Sequence, residues 1–530
     1  MQEKIYDIAI IGTGPAGLTL CAEISKSGKR IALIESGTYR RQEHTESLKK
    51  VLSDGEISIR PGSRERIVGG TSTTWAGLSA PMDKVDIETW PIEYAELKQY
   101  YTKLNTYGFP KLSDFDHSTL DNLRKNADFS LESNVLEEKI FIAKDPPWNF
   151  ANELKDVLDK SNVTLFHDST VIHLSSKKSP TGKQTVNGLV IKNSNGKENT
   201  LIAKTIILSA GGIENARLLL LSRDTQSSGL GNEYDQVGRY ITNHPKNSYG
   251  IIRLYKPAHN LNHLFGYLHS GWAKSAGVRI REDMQKSLGI LNSYVRMEPI
   301  FPWTDSKGVT DLITITKKFK LFLQWWKRFQ KKLIGLRDWT ETGDDVQRKS
   351  SFSWSSAFLS IVKDMPSVAS YIFHRLAHSK KIPVHTIRLR NFMDMESRRE
   401  NRITLSDMMD GNGKAIPVVT LNISERDRRS VTELHRLIGV ELQRKNIGVL
   451  ESNLDKVNPW PINTEASHHI GGTIMGMEPK TSVVDSNLKV HSVDNLYICS
   501  SSVFPTSGCA NPTYTICALA IRLANHLNNV

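Results

Sequence analysis

The chain has 530 residues, 39% hydrophobic and 24% charged, which are the proportions of an ordinary soluble protein with room for several domains' worth of core. Its formal net charge of +13 favours an anionic partner: a phosphorylated substrate, a nucleic acid or an acidic membrane surface. Cys21, Cys499, Cys509 and Cys517 show no CxxC or CxxxC spacing, which excludes a metal or disulfide framework read from cysteines, and no 18-residue apolar run predicts a transmembrane helix.

Residues 7–35 come first and organise the rest. The apolar run Ile8-Ala-Ile-Ile11 is short enough for a buried parallel strand. It ends in Gly12-x-Gly14-Pro15-Ala16-Gly17, a helix pattern runs to Ser27, and Gly28 stops it. A second strand follows and closes on Glu35. This order predicts a dinucleotide site. Gly12 makes the tight turn, Gly14 lets backbone approach a pyrophosphate, Gly17 lets helix and strand pack, and Glu35 meets a ribose hydroxyl. The phosphates are expected at the helix N-terminus, where free N–H groups favour negative charge. The motif alone does not separate NAD from FAD, although its place at the start of the chain leans towards FAD. With the strand beginning near residue 5, no signal peptide is expected, and a cytoplasmic, reduced location is the default.

Gly69-Gly70-Thr71-Ser72-Thr73-Thr74-Trp75 follows a polar stretch and suits backbone passing close to a flat ligand. Residues 93–107 read as an amphipathic helix. Short strands are expected between 163 and 202, and a buried strand at 205–208 runs into Ala210-Gly211-Gly212-Ile-Glu-Asn215, a second close-approach turn. From about 246, longer alternating strands predict a mostly antiparallel second domain. These include 249–254, 277–281, 289–297, 387–394, 402–405 and 418–423, followed by a charged amphipathic helix at 425–445. The last 65 residues hold Ser467-His468-His469-Ile470-Gly471-Gly472-Thr473, then Ser500-Ser501-Ser502-Val-Phe-Pro505-Thr506, then Asn511-Pro512-Thr513 opening a final helix.

These motifs, in this order, resemble the glucose–methanol–choline (GMC) flavoprotein oxidoreductases nearly end to end. Within them the chain is most similar to bacterial saccharide-type dehydrogenases and pyranose 2-oxidase, through Gly-Gly-x-Ser-Thr-x-Trp75 and the 402–407 hairpin. The resemblance implies an α/β fold: a Rossmann-like FAD domain with a second α+β substrate domain on a mostly antiparallel sheet. The implied division is 1–95, 151–245 and 456–530 for FAD, 96–150 as a lid segment, and 246–455 for substrate, with a helical insertion at 305–385. It implies oxidation of a CH–OH group of a sugar-like or other alcohol, His469 taking the hydroxyl proton, Asn511 holding the oxygen, and hydride passing to flavin N5. An imidazole titrates near working pH and an amide cannot take a proton, which is why the base role falls to His469. His468 is adjacent and on an extended segment points the other way.

Around the cofactor the resemblance implies Gly69, Gly70, Thr71, Ser72, Thr74 and Trp75 along the isoalloxazine, Val171 at the adenine, and Ala210, Gly211, Ser501, Pro512 and Thr513 as further contacts. The N–H groups at Pro512-Thr513 would face the flavin's pyrimidine oxygen. Thr74 stands where pyranose 2-oxidase has a flavin-linking histidine, so the FAD is expected to be non-covalent. Ser500 stands where many relatives have Asp. Asn243-His244-Pro245 matches a family loop in which His244 is expected to be structural. The implied partners are an alcohol or saccharide, a lipid-linked one included, and a separate electron acceptor: a quinone, a protein or O2. No metal and no nucleic acid is expected. Non-redox, lyase-like relatives and a flavin-binding scaffold stay open as other readings. Residues 316–337 segregate Phe and Trp from Lys and Arg without one acid, broken only at Lys318 and Leu321, the pattern of an interfacial helix on an anionic membrane or of a helix docked on its own domain or a protein partner. An interfacial helix would make the enzyme peripheral on the inner face of the cell membrane. Residues 352–376 add a second apolar-rich segment.

Overall fold

The computed structural model describes residues 5–178, 182–318, 353–377 and 382–529. Tyr6–Ile11, Ile31–Ile34, Val163–Phe166, Ala203–Leu208 and Leu496–Ile498 pair in parallel into one five-stranded sheet. Its central strand is Ile-rich and buried on both faces, as parallel strands between helices are. The helix Pro15–Ile24 starts with proline at its first turn, where the missing N–H costs nothing. It packs against the last helix, Thr513–Asn529. The Gly12 turn has φ +106, and a Cβ there would lie 2.6 Å from the Ser209 carbonyl oxygen. Gly17 is set just as tightly: a Cβ would lie 1.9 Å from the Gly12 carbonyl oxygen. The nucleotide-type strand, turn, helix and second strand are therefore present as the sequence predicts.

The second unit is a ten-stranded sheet whose strand pairs, among the described residues, are all antiparallel. Trp272–Ile280, Tyr294–Ile300 and Val384–Phe392 form its middle, and the helix Glu425–Arg444 lies against it, opened by a reciprocal Ser424–Asp427 cap. The mixed α/β architecture with a mostly antiparallel second sheet matches the expectation. Sheet membership crosses the expected boundaries, however. Leu136–Lys144 and Leu78–Ser79, drawn in the lid and FAD segments, belong to this second sheet.

Two strand expectations are corrected. Arg402–Met409 and Ala415–Thr420 do not extend the large sheet; they form a separate hairpin joined in parallel by Leu52–Asp54. Arg217 ties that hairpin to the FAD side through Asp410 and the Ala415 carbonyl. The strand expected at 289–297 begins only at Tyr294, because Glu282–Leu288 is helical and Gly289 caps it at φ +62. Of the insertion, Lys307–Lys318, Trp354–Lys363 and Met365–Ala377 are helices; the interfacial helix expected at 316–337 lies, from 319 on, outside the described residues. Among the described residues, no helix is long and apolar enough to cross a membrane.

Candidate active site

A cleft opens at the C-terminal ends of the parallel strands, where open α/β sheets bind their ligands. Gly12, Gly14, Pro15 and Ala16 form its floor and Glu35 one end. Glu35 is buried and held on both oxygens: the Thr13 N–H (3.1 Å) and hydroxyl (2.6 Å) donate to one, the Gly37 N–H (3.0 Å) to the other. Burial raises its pKa, and those three donors oppose the shift. Oε1, which accepts only from Gly37, keeps a lone pair for a ribose hydroxyl.

Gly70, Thr71, Ser72, Thr74 and Trp75 line the next part of the cleft. Their turn is pinned from behind. The Ser72 hydroxyl donates to the Gly69 carbonyl (2.6 Å) and accepts from the Phe150 N–H (3.1 Å), and Trp75 Nε1 donates to the Trp148 carbonyl (2.6 Å). Val171, Ala210, Gly211, Ser501, Pro512 and Thr513 complete the predicted lining. Gly17 and Gly69 do not line the cleft; they shape the backbone that does, Gly17 by close packing and Gly69 at φ +98.

Three motif segments are wired together beneath this surface. The Asn215 side chain accepts from the Ala210 N–H (2.9 Å) and donates to the hydroxyls of Ser500 (2.9 Å) and Ser502 (3.1 Å). Thr473 donates to Ser502 (2.7 Å). Ser500 thus serves the interior. Sequence reasoning missed a charged group beside them: Glu214 lies between Arg64, Arg66 (2.8 Å) and Arg217 (3.3 Å). Arg64 and Arg66 line the cleft, and their arginine pairing was visible only as an unremarked Arg-Glu-Arg before the glycine turn.

At the far end both histidines face the cleft, contrary to the alternation expected of an extended segment. The segment is not a strand. Ser467 has φ +61 and Gly471 φ +79, so the side chains do not alternate. Asn511 was expected to pair with His469; the contact is with His468, Nδ2 to Nε2 at 3.1 Å. The other ring nitrogen of His468, Nδ1, lies 2.8 Å from Nδ1 of His244, and the two rings meet edge to face. Asn243 holds both histidines, its side-chain oxygen accepting from the N–H of His244 (2.8 Å) and of His468 (3.2 Å). Its amide donates to Glu465 (2.9 Å). His469 lies deeper, its carbonyl accepting from the Ser501 hydroxyl (2.7 Å) and its Nε2 buried without a partner. A Cβ on Gly212 would fall 2.2 Å from that carbonyl oxygen. Burial pushes His469 down to about 4, and burial with the nearby His244 and Lys246 pushes His468 well below the usual range. Both are neutral bases at neutral pH.

The glycine cradle, the buried acid and the free N–H groups at the start of the last helix together fit a dinucleotide cofactor. Comparison with known proteins agrees. Residues 397–520 match the GMC oxidoreductase C-terminal family, described as "GMC oxidoreductase", and residues 7–47 match an FAD binding domain. The chain carries a GMC oxidoreductase C-terminal domain and an FAD-binding domain. The chain is 25% identical to the fructose dehydrogenase large subunit of Gluconobacter japonicus over 337 residues, 63% of the chain and 48% of that protein. It therefore spans about half the length of that relative. It is 32% identical to the 6'''-hydroxyparomomycin C oxidase of Streptomyces lividus over 165 residues, 29% of the chain and 27% of the oxidase. With the 2-methyl-1,2-propanediol dehydrogenase of Mycolicibacterium austroafricanum it shares 21% identity across 98% of the chain and 95% of the relative. In fold it is similar to the pyridoxine 4-oxidase crystal structure from Mesorbium loti, with TM-score 0.57, 16% identity and 99% of each chain covered.

Proposed function

We propose that this GMC-type chain is an FAD-dependent oxidoreductase that converts a CH–OH group of a sugar-like or other alcohol to the carbonyl. A separate acceptor, a quinone or protein ahead of O2, takes the electrons. The observation that carries the reading is the His468–Asn511 contact at the end of a cleft floored by the dinucleotide turn. FAD, when bound, supplies the hydride acceptor. Gly12, Gly14, Gly70 and Glu35 are its expected holders. Thr74 offers a hydroxyl and no imidazole, which supports non-covalent attachment.

The base in this reading is His468 rather than His469. One arrangement of protons that satisfies the chain of contacts makes His468 a base. Nε2 of His244 makes no hydrogen bond, and the Gly508 and Ser507 backbone nearby favours a protonated ring, so the proton of His244 is placed on Nε2 in this reading. That leaves Nδ1 of His244 bare to accept from Nδ1–H of His468. Nε2 of His468 then carries a lone pair, and the Asn511 amide donates to it. A substrate hydroxyl entering between them gives its proton to Nε2 while Asn511 keeps hold of the oxygen. His244 thus sets the tautomer that makes His468 a base. The test is anaerobic bleaching of the flavin absorbance by a panel of polyols, repeated with an artificial acceptor with and without O2. A panel that bleaches nothing would leave a non-redox use of the fold.

Peripheral membrane contact is a separate proposal. It is supported by the acid-free segment at 316–337 and by exposed Phe358, Leu359, Phe373 and Leu376 on the neighbouring helices.

A further inference from the structure

One face of the antiparallel sheet carries cations away from the reacting end of the cleft. Lys246 sits opposite Phe392, and Arg296 opposite Arg390, across neighbouring strand pairs. Lys246 and Phe392 line the cleft that contains His468 and Asn511, with Lys246 Nζ 5.6 Å from the Phe392 ring centre. Two residues along the same strand, on the same face and about 7 Å away at roughly 3.3 Å per residue, Arg390 lines a second cavity with Arg296. That cavity has a volume of about 170 Å³ and is walled by Phe301 and Trp303, stacked with ring centres 5.1 Å apart.

Arg296 decides the chemistry. Its side chain is only 7% exposed, one terminal nitrogen (Nη2) reaches the Ser275 hydroxyl at 3.4 Å, and the other (Nη1) is buried with no partner. Among the described residues no carboxylate lies within 4 Å of it; Glu298 lines the same cavity and partly offsets its charge from further off, approaching Arg388 (4.0 Å) and Arg390 (3.9 Å) more closely. A guanidinium keeps its charge at any working pH, and a buried unpaired charge is costly unless a counter-ion arrives. The planar fork suits a carboxylate or phosphate, and the stacked rings offer a flat wall to the ring that bears it.

We propose that the alcohol substrate is an acidic one: its carboxylate or phosphate seats on Arg296 and Arg390 while its reacting hydroxyl lies at His468 and Asn511. The inference rests on the oxidation reading above. Lys246 lies between the two ends. Burial, with Arg390, Arg60 and Arg296 nearby, holds it down to about 7, so it adds positive charge mainly on the acid side of neutrality.

The test is calorimetric binding of glucuronate, glucose 6-phosphate and glucose to the FAD-loaded full-length protein. At least one acidic sugar binds ten-fold or more tighter than glucose, and which one separates carboxylate from phosphate recognition. Arg296→Met loses that ten-fold, leaves glucose unchanged, keeps its FAD, and melts no lower than wild type because an unpaired buried charge is gone. Equal binding of all three sugars overturns the proposal, as does wild-type affinity in Arg296→Met. If Arg296→Met melts well below wild type, Arg390→Met serves as the second binding variant, and unchanged acid affinity there overturns the proposal. Binding is read without turnover, so a protein that binds the acids but oxidises no alcohol would lose the oxidation reading alone.

Discussion

Replacing His468 by glutamine tests the tautomer argument most directly. Both ring nitrogens are engaged, Nδ1 with His244 at 2.8 Å and Nε2 with Asn511 at 3.1 Å. Glutamine is of similar reach and can still bond Asn511, but it cannot take a proton. Losing a general base costs roughly 10²–10⁴-fold in rate, or about 2.7–5.5 kcal/mol at ~1.36 kcal/mol per decade. Alanine would add the desolvation cost of leaving His244 and Asn511 unpaired, roughly 1–3 kcal/mol for each. Glutamine therefore separates chemistry from folding better. The assay is the anaerobic rate of flavin bleaching at saturating alcohol, on protein matched for FAD content. His468→Gln should fall by at least 10²-fold, and His469→Gln, whose ring does not touch Asn511, should fall less. The pH profile is a second reading. A depressed pKa leaves the imidazole in its base form to lower pH, so kcat/KM should hold steady through the ordinary histidine range near ~6.5 and fall only below it. Near-normal bleaching in His468→Gln, with a large loss in His469→Gln, would refute the assignment.

Four further outcomes are expected. Gly17→Ala should yield protein largely without FAD, read from flavin absorbance per chain, because the added Cβ falls 1.9 Å from the Gly12 carbonyl oxygen; full FAD loading would contradict the packing argument. Acid precipitation should release the FAD into the supernatant, and yellow pellets would point to a covalent bond at a residue other than Thr74. His435 is pushed to about 4 by burial, below its unfolded value near ~6.5, so it contributes stability above that pH that is lost as pH falls towards 4. The drop in melting temperature over that window should therefore shrink in His435→Gln, and an unchanged drop would exclude the residue. Phe358→Glu with Leu359→Glu should weaken co-sedimentation with anionic liposomes at constant FAD content, with salt weakening the wild type too; wild-type protein left in the supernatant at low salt would end the membrane proposal.

The fold was legible where a rule of geometry acts locally. The Gly12–Gly17 turn, the acid at Glu35 and the antiparallel domain follow from glycine φ, strand period and the length of apolar runs. Pairing between distant segments was not legible. Nothing in Leu52–Asp54 announces that it will add in parallel to Ala415–Thr420, and nothing in Leu136–Lys144 shows which sheet it joins. Those choices are made by tertiary burial, and the period of the strands is the same in either sheet.

The active end shows the same division more sharply. The motif locates the segment, but strand-like alternation does not hold within 467–471, where Ser467 and Gly471 adopt positive φ. What turns His468 towards Asn511 is Asn243, fully buried and bonded to both histidine N–H groups and to Glu465. In the sequence Asn243 is only the first letter of a loop more than 220 positions away, and the His244 that follows reads as structural. Once folded, that loop brings the His244 imidazole to Nδ1 of His468 while Asn511 meets Nε2, and the proposed tautomer leaves the Nε2 lone pair facing the cleft. The proposed base is thus set by segments far apart in the sequence, and a motif that records one of them names the neighbourhood but not the atom.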